Sequence, residues 1–488
     1  MSYQKFAKDV VLIGVTQLLT GLSVFLLLPI ITKTLSVYEY GIWAQIWVTV
    51  SLLSPLALLG LSQATIRYLA AETDIIKIRN IFYSGILFVT VWGSFISLAI
   101  IILSDPIAWI FFQDGSTAHL IRLAAFLIVL TALYQLSSLY FRIFQMNAIF
   151  ALITILKTCG HLLLVFLFLW AGLGLQGVIG ATLAIHLIMA AFSLVLVVSR
   201  IGLALPNVLE LKEVLVYGIP LTPNPMLDWL RSSSDRYIIG IFLGMGAVGI
   251  YSVAYSVGSI ILILVSPIQF ILFPSLSKIY DEKKYDEVKN YLRYSIKYFL
   301  MIAIPSAFGI SALAVPLLAT MTTSDYLDGA VLIPFIAFGG VFFGVYQISI
   351  NVTQLVKKTK FNLYLYLAAA VSSILLNVLL VPVLGILGAA IASLISMIVL
   401  VSLSTALSSR YIQFNIDKPF VSKSVLSSLA MVGIITLLNP VALQDIIVAI
   451  LVGVIIYFTL LVIFKSFTEQ EIALLKTTIS SYVPKIKV

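Results

Sequence analysis

Residues 361–409 contain no Asp, Glu, Lys or Arg. A single α-helix of this length would measure about 73 Å, because each residue adds 1.5 Å along the axis. The hydrocarbon core of a bilayer is only about 30 Å thick. The segment must therefore fold back on itself, and Pro382, Gly385 and Gly388 supply the break. We expect two membrane-spanning helices here.

The rest of the chain has a similar composition. Of its 488 residues, 61% are hydrophobic and only 10% are charged, whereas soluble proteins average about 25% charged residues. A soluble globular enzyme is excluded because this chain has too few charged residues to cover a surface that faces water. An intrinsically disordered protein is excluded because the chain is too apolar to stay unfolded in water. Counting apolar runs of about 20 residues predicts an all-α integral membrane protein with fourteen transmembrane helices.

Basic residues are unevenly distributed between the predicted loops. With a cytoplasmic N-terminus, most of the 29 Lys and Arg residues fall in cytoplasmic segments, as the positive-inside rule requires. We expect a multi-pass protein of the plasma membrane with both termini cytoplasmic. The net charge of +9 reflects orientation and anionic lipids, so we expect no nucleic-acid partner.

Motifs for enzyme chemistry are scarce. The single Cys159 excludes a disulfide framework, the three histidines lack metal-ligand spacing, and no phosphate-binding GxxxxGK loop occurs. We expect no metal and no cofactor. Any function that needs energy must therefore draw on the membrane itself or on an ion gradient across it. The candidate coupling ions are H⁺ and Na⁺.

The two halves of the chain resemble each other at a nearly constant offset of 204 to 212 residues. The alternative explanation for these matches is that glycine and proline recur at helix ends because turns favour them. Duplication predicts two parallel six-helix repeats, with substrate bound between them. The predicted units are an N-terminal lobe (1–200), a cytoplasmic connector (201–212), a second lobe (213–409), and two extra helices with a cytoplasmic amphipathic tail (410–488). The matched positions include Gly14 with Gly218, Gly41 with Gly249, Pro55 with Pro267, and Gly177 with Gly388.

Four charged residues fall within nine positions of the seventh predicted helix. A charge at mid-bilayer costs roughly 2.5–3.5 kcal/mol, so these side chains should face the bundle interior or a wet cavity. Arg231 is a candidate phosphate ligand, with Asp228 tuning it or carrying the coupling ion. The alternative is an ion-pair ladder that fixes the helix, which suits Asp235 and Arg236 better because we expect them near the outer interface.

Other polar side chains lie at membrane depth. Lys157 either lines a basic cavity or extends to the interface, and His161, one turn deeper, serves proton coupling or a helix–helix hydrogen bond. Gln17 and Asn377 are candidate sugar ligands, although amides also bridge helices in lipid.

Prolines mark three candidate hinges. Pro55 and Pro267 occupy matched positions in the second and eighth predicted helices, and we expect both to kink their helices. Pro223 lies in the proline-rich start of the seventh helix, where missing backbone donors favour a break.

Several segments occur in the order typical of one family. Together with the six-plus-six-plus-two arrangement, they resemble the polysaccharide transporter branch of the multidrug/oligosaccharidyl-lipid/polysaccharide (MOP) exporter superfamily. The resemblance implies a V-shaped bundle whose cavity is lined mainly by helices 1, 2, 7 and 8. It also implies an O-antigen-type flippase that moves an oligosaccharide, carried on a polyprenyl phosphate or pyrophosphate, to the outer leaflet for cell-surface polysaccharide synthesis. The segments are LSVYEYGIWA (35–44), GLSQATIRYLA (60–70), SSDRYIIGIFLGMGAVGIYSVAYSV (233–257) and FPSLSKIYDEKKYDE (273–287).

Three alternatives remain. A multidrug and toxic compound extrusion (MATE) exporter typically has an acidic residue in helix 1, and residues 10–32 contain none. A lipid II flippase carries charges in that helix which are also missing here. A membrane glycosyltransferase would need catalytic carboxylates or large polar loops. For the flippase we expect lipid-linked glycan and membrane lipids as partners, a glycan polymerase or glycosyltransferases as further candidates, and a monomer.

Overall fold

The computed structural model describes residues 3–467 and residue 471. Within these residues the chain forms α-helices joined by short turns and has no β-strand. Thirteen segments are long and apolar enough to cross a membrane. The all-α membrane fold is confirmed, whereas the count of fourteen stays a prediction, because the helix at Pro223–Leu243 carries four charges and is not one of the thirteen.

Helices α1 to α8 build the first lobe. The helix α6 lies at its centre and packs against α2, α4 and α8, while α7 packs between α1 and α8. The bounds are α1 Tyr3–Thr32, α2 Val37–Leu58, α3 Leu61–Leu69, α4 Ile75–Ile102, α5 Ser104–Ile107, α6 Ala118–Ile143, α7 Asn147–Trp170 and α8 Gly174–Ile201.

Helices α9 to α18 follow; α9 packs against α3 and α4 of the first lobe, and α10 to α18 build the second lobe. Here α17 packs against α10 and α18, and α15 packs against α13 and α18. A 3₁₀ segment, Ser259–Leu264, joins α11 to α12, and another, Ser324–Leu332, leads into α15. The bounds are α9 Val208–Gly218, α10 Pro223–Leu243, α11 Met245–Gly258, α12 Val265–Asp281, α13 Tyr285–Ala312, α14 Ala314–Met321, α15 Ile333–Ser349, α16 Asn351–Leu355, α17 Lys360–Leu384 and α18 Ile386–Ser408.

Two further helices, α19 (Lys418–Leu438) and α20 (Leu443–Ile463), pack against each other and against α13. The predicted amphipathic tail lies outside the described residues except at its start and at Glu471. The Glu471 carboxylate accepts hydrogen bonds of 2.8 and 2.9 Å from Nζ of Lys297 on α13. Both side chains are buried, so this ion pair holds the start of the tail against the second lobe.

Side chains cap the N-termini of α2, α4 and α19. The Ser36 hydroxyl accepts from the Glu39 backbone N–H, and the Glu39 carboxylate accepts from the Ser36 N–H, which closes a capping box on α2. Asp74 caps α4, and Asp417 caps α19, in each case through a carboxylate oxygen. These carboxylates and hydroxyls satisfy backbone donors that a helix leaves unpaired.

The predicted seventh helix is broken. Helix α9 ends at Gly218, a single 3₁₀ turn carries Pro220, and α10 begins at Pro223. Proline is tolerated in the first turn of a helix because the backbone N–H there has no helical partner. Pro267 likewise lies in the first turn of α12, directly after the 3₁₀ segment Ser259–Leu264 that interrupts the predicted eighth helix. Pro55 lies in the last turn of α2, and all three hinge roles stay predictions.

The two lobes meet backbone to backbone where α2 crosses α11. A Cβ atom on Gly41 would lie 1.8 Å from the carbonyl oxygen of Met245, and a Cβ on Gly249 would lie 2.2 Å from that of Val37. Gly41 and Gly249 are the matched glycines of the predicted duplication, and Val37 and Met245 are 208 residues apart as well. Such reciprocal contacts are what an approximate two-fold axis between the lobes produces.

Further contacts join the lobes at the end of the bundle where α1 meets α2, which we call the Lys33 end. The ammonium of Lys33 donates to the carbonyl of Thr320 (2.9 Å), and the Gln113 side chain donates to the carbonyl of Ile241 (2.8 Å). In the same region, hydrogen bonds from Ser116 and Tyr38 hold the pKa of the Asp114 carboxyl below its usual range. At the opposite end of α2, a Cβ on Gly60 would lie 2.0 Å from the Gly218 carbonyl oxygen.

Candidate functional site

A cavity of about 380 Å³ lies between the two lobes. The first lobe contributes side chains from α1, α2, α6, α7 and α8, and the second lobe contributes Arg236 of α10 with Ser252 and Ser256 of α11. The resemblance implied a lining from helices 1, 2, 7 and 8, and the observed lining extends this set around the first lobe. The volume is at the lower end of the range of about 300–1,000 Å³ for small-molecule sites.

The charged side chains on the cavity wall are all basic. Lys157 and Arg236 line it together with His161 and His186, and no Asp or Glu of the described chain is among the lining residues. The Lys157 ammonium lies 4.4 Å from the centre of the Tyr134 ring. Within residues 3–467 and 471, no carboxylate pairs with it, so it is available to an anion.

Arg236 is held in the cavity wall by its neighbours. Its Nη1 donates to the Asp235 carboxylate and to the Ser232 carbonyl, each at 3.0 Å. Its guanidinium lies 4.2 Å from the centre of the Tyr255 ring. Asp235 in turn accepts from the Tyr251 hydroxyl (2.5 Å). The guanidinium lines the inter-lobe cavity, where Asp235 balances its charge, and the expected position of this pair near the outer interface stays a prediction.

Thr182 of α8 orients both histidines of the cavity. Its hydroxyl donates to the Val178 carbonyl (2.7 Å), and its oxygen is 3.0 Å from Nε2 of His161. Its backbone carbonyl accepts from Nδ1 of His186 (2.7 Å). His161 therefore makes the predicted kind of helix–helix hydrogen bond, between α7 and α8. Its role in proton coupling stays a prediction.

Arg231 and Asp228 lie elsewhere, inside the second lobe. An oxygen of Asp228 accepts hydrogen bonds of 2.7 and 3.0 Å from the Arg231 guanidinium. The same guanidinium is 3.2 Å from the sulfur of Met397 and 4.6 Å from the centre of the Phe343 ring. Arg231 lines a separate cavity of about 50 Å³. It therefore does not face lipid, but it is not brought together with Lys157, and its phosphate-binding role stays a prediction.

The two predicted amide ligands are not brought together either. Gln17 is exposed on α1, three residues before Thr20, which lines the cavity. Asn377 is buried in α17, where its amide donates to the Ser373 carbonyl (2.8 Å). Its Oδ1 has no partner among the described residues. Asn377 is not part of the cavity wall, and Gln17 lies one turn from it.

Aromatic side chains of the wall were missed by the sequence analysis. Tyr40, Trp43 and Trp47 line the cavity from α2, and the centres of the two indoles are 5.9 Å apart. Their i, i+3, i+7 spacing places them on one helical face. In the sequence, this spacing is the signal that could have predicted a shared aromatic surface.

Metal-ligating side chains do not cluster within the described residues. Across the part of the chain that the structure describes, no three His, Cys, Asp or Glu side chains come together as a metal ion would need. The rings of the two cavity histidines are fixed by Thr182, and no Asp or Glu of the described residues lies beside them in the wall.

Comparison with known sequences adds independent information. The family model described as "Polysaccharide biosynthesis protein" matches residues 30–332, which is more than half of the chain. The probable low-salt glycan biosynthesis flippase Agl15 of Haloferax volcanii is 23% identical over 310 residues, covering 62% of this chain and 65% of that protein. The probable flippase AglR of the same organism is 28% identical over 175 residues, covering 35% of each chain. The match thus spans slightly less than two thirds of the first relative.

Solved structures with the same fold include two kinds of transporter. The lipid II flippase MurJ in an inward closed conformation has a TM-score of 0.76 at 16% identity, covering 93% of this chain and 98% of that one. An inward-facing multidrug resistance MATE transporter has a TM-score of 0.68 at 15% identity, covering 82% and 98%. At such low identity these likenesses show the fold alone.

Proposed function

This chain belongs to the polysaccharide biosynthesis protein family of the MOP exporter superfamily, and on that basis we propose that it flips a lipid-linked oligosaccharide from the cytoplasmic to the outer leaflet. The carrier would be a polyprenyl phosphate or pyrophosphate, and the product would feed cell-surface polysaccharide synthesis. The observation that carries the proposal is the position of Lys157. Its ammonium lies in the wall of the inter-lobe cavity and has no carboxylate partner among the described residues.

Cation placement favours an anionic substrate. Burying an unpaired ammonium is costly, and a phosphate group that enters the cavity supplies the missing charge and hydrogen-bond acceptors. Arg236 adds guanidinium donors on the opposite lobe, with its own charge balanced by Asp235. A phosphate held between Lys157 and Arg236 would contact both lobes, as alternating access about a central site requires.

The polyprenyl chain needs a side opening to remain in the bilayer while its headgroup crosses. The α1 side of the cavity suits this role. There the atoms nearest to a Cβ built on Gly21 belong to the side chain of Ile263 in the 3₁₀ segment, with the terminal carbon at 2.8 Å. A flexible side chain can move aside, whereas the backbone contacts of Gly41 and Gly249 cannot. We therefore assign lipid access to the boundary between α1 and Ser259–Leu264.

The remaining elements of the proposal concern the cell. The protein is a multi-pass membrane protein that we place in the plasma membrane, and the bias of Lys and Arg supports an orientation with both termini cytoplasmic. Energy would come from H⁺ or Na⁺, with Asp228 and His161 as candidate sites. A glycan polymerase or glycosyltransferases are the candidate partners of a monomeric transporter, and O-antigen is one candidate glycan class.

The cavity charge also bears on the alternatives. A pocket for cationic drugs would be expected to offer a carboxylate, and the described lining contains none, so a MATE-type exporter is disfavoured. A lipid II flippase remains a closer alternative, because its substrate also carries a pyrophosphate. The proposed glycan flippase and a lipid II flippase differ in their substrates, and the basic character of the site does not distinguish them.

Deletion of the gene in its own host tests the proposal even when the glycan has not been identified. We expect the surface glycan to disappear and its lipid-linked precursor to accumulate in the cytoplasmic leaflet, with drug sensitivity unchanged. Re-expression of the full chain should reverse both effects. Normal surface glycan together with increased drug sensitivity would support the exporter instead, and accumulation of lipid II would support the third candidate.

A further inference from the structure

One nitrogen in the cavity wall lacks a hydrogen-bond partner. His186 is buried, with 2% of its surface exposed, and its Nε2 makes no hydrogen bond in the described structure. Leaving a buried polar atom unpaired costs about 1–3 kcal/mol. Such an atom in a binding cavity points to a ligand group that completes the bond.

Hydrogen bonding within the wall fixes which role this nitrogen plays. The Thr182 carbonyl can only accept, so Nδ1 of His186, at 2.7 Å, carries the hydrogen. In the neutral ring the other nitrogen is then an acceptor. Nε2 of His186 therefore offers a lone pair, and a neutral donor of the ligand, such as a hydroxyl, would satisfy it.

Aromatic rings surround the same histidine. The ring centre of His186 is 6.1 Å from that of Trp47 and 6.2 Å from that of Tyr134. Trp47 is 39% exposed, so it is the ring with room to adjust. The C–H edges of a pyranose carry partial positive charge and pack favourably on the negative face of an aromatic ring. An aromatic face beside a hydroxyl acceptor is therefore suited to a sugar.

Tyr134 links this position to the phosphate position. The Lys157 ammonium lies 4.4 Å from its ring centre, and His186 approaches the same ring edge-on at 81° between the ring planes. A phosphate at Lys157 and a group at His186 would thus both lie beside the Tyr134 side chain. In a lipid-linked glycan, the group next to the phosphate is the first sugar.

We propose that Trp47 and His186 form the subsite for the sugar attached directly to the lipid phosphate, with Nε2 of His186 accepting a hydrogen bond from one of its hydroxyl groups. This inference rests on the proposed function and adds a specificity-determining residue to it. A site built to hydrogen-bond a hydroxyl rejects ligands that lack the hydroxyl, because its own polar atom is then left unpaired. Lys157 recognises the phosphate whichever sugar follows.

Two substitutions separate the acceptor from the packing of the ring. The amide of His186→Asn can keep the donor to Thr182 while removing the group at Nε2. The longer side chain of His186→Gln can return an oxygen acceptor to that position. Trp47→Leu removes the aromatic face, and Lys157→Gln removes the cation.

Binding to the purified full chain in detergent provides the readout. The probes are farnesyl diphosphate and its glucosyl, N-acetylglucosaminyl, mannosyl and galactosyl derivatives. For the wild type we expect at least one glycosylated probe to bind at least tenfold more tightly than farnesyl diphosphate. His186→Asn and Trp47→Leu should reduce that ratio to about one, and His186→Gln should restore part of it. Lys157→Gln should weaken all probes by a similar factor.

The inference is overturned if the wild type binds every glycosylated probe no more tightly than farnesyl diphosphate, or if sugar discrimination survives in both His186→Asn and Trp47→Leu. These outcomes leave transport of a lipid-linked glycan intact. Failure of the proposed function itself would instead appear as unchanged surface glycan in the deletion strain.

Discussion

Gly41 and Gly249 pack the backbones of α2 and α11 against each other, each glycine leaving space that a carbonyl from the opposite lobe occupies. The contact is reciprocal: Gly41 faces Met245, and Gly249 faces Val37. Because backbone atoms fill the space on both sides, no side-chain rotation can accommodate an added methyl group. We infer that closure of the two lobes at the Lys33 end depends on both glycines.

Gly249→Ala should prevent this closure. The new Cβ would lie 2.2 Å from the Val37 carbonyl oxygen, and overpacking of this kind costs typically about 1–3 kcal/mol. We expect export of the lipid-linked glycan to fall at least tenfold, measured as surface glycan in the complemented deletion strain. Gly246→Ala is the matched control on the same helix, because nothing lies within 4 Å of its added Cβ. Equal export by the two variants would contradict the role given to this contact.

Lys157→Gln should abolish most transport while leaving the fold intact. A hydrogen bond to a charged group contributes about 1.5–3 kcal/mol, so we expect the initial rate in proteoliposomes to fall by roughly 10- to 100-fold. Lys157→Arg should keep part of the activity because the charge remains. The control is Lys360→Gln, an exposed lysine at the start of α17. A Lys157→Gln protein that transports at the wild-type rate would remove this residue from the site.

Asp235→Asn should destabilise the protein. The Asp235 and Arg236 side chains are 3% and 8% exposed, and breaking a buried ion pair by changing one partner costs about 3–5 kcal/mol. We expect a clear decrease in Tm in detergent. The double variant Asp235→Asn/Arg236→Gln should lose less stability than the sum of the losses in the two single variants. Asp286→Asn, which disrupts an exposed pair with Lys289, should change the free energy of unfolding by less than about 0.5 kcal/mol.

Glu471→Gln tests the attachment of the tail. The substitution leaves the buried Lys297 ammonium without its carboxylate, which should loosen residue 471 from α13 and lower the Tm. Limited proteolysis should then cleave near residue 471 faster than in the wild type. Lys297→Arg, which keeps a positive charge opposite Glu471, should retain most of the protection. Unchanged cleavage and Tm would show that the tail is held by other contacts.

Much of the membrane architecture follows from the sequence, because an apolar segment in lipid must satisfy its backbone hydrogen bonds internally. The charge-free stretch at 361–409 divides into α17 and α18 at Gly385, as its length and breaking residues predict. The matched glycines Gly41 and Gly249 were also identified from sequence. Their mutual contact was not, because an offset between repeats does not specify which faces meet.

The charges of α10 show where sequence reasoning ends. Periodicity places Asp228, Arg231 and Asp235 on one face, but it does not say which side of that face borders the cavity. Helix α10 starts at Pro223 after a break, so its rotation is set by packing against α17 and α18. As a result Arg236, not Arg231, reaches the inter-lobe cavity. The acceptor role of His186 was equally hidden, since it depends on the Thr182 carbonyl of the same helix.

The modest size of the inter-lobe cavity bears on the breadth of cargo that one such carrier serves. About 380 Å³ accommodates a phosphate and its first sugar, so the later residues of a long chain would extend into water without touching the recognition wall. The protein would then make no contact with the far end of the glycan, whatever its branching, length or substituents. Glycans that differ in everything except their innermost unit would be exported by the same protein.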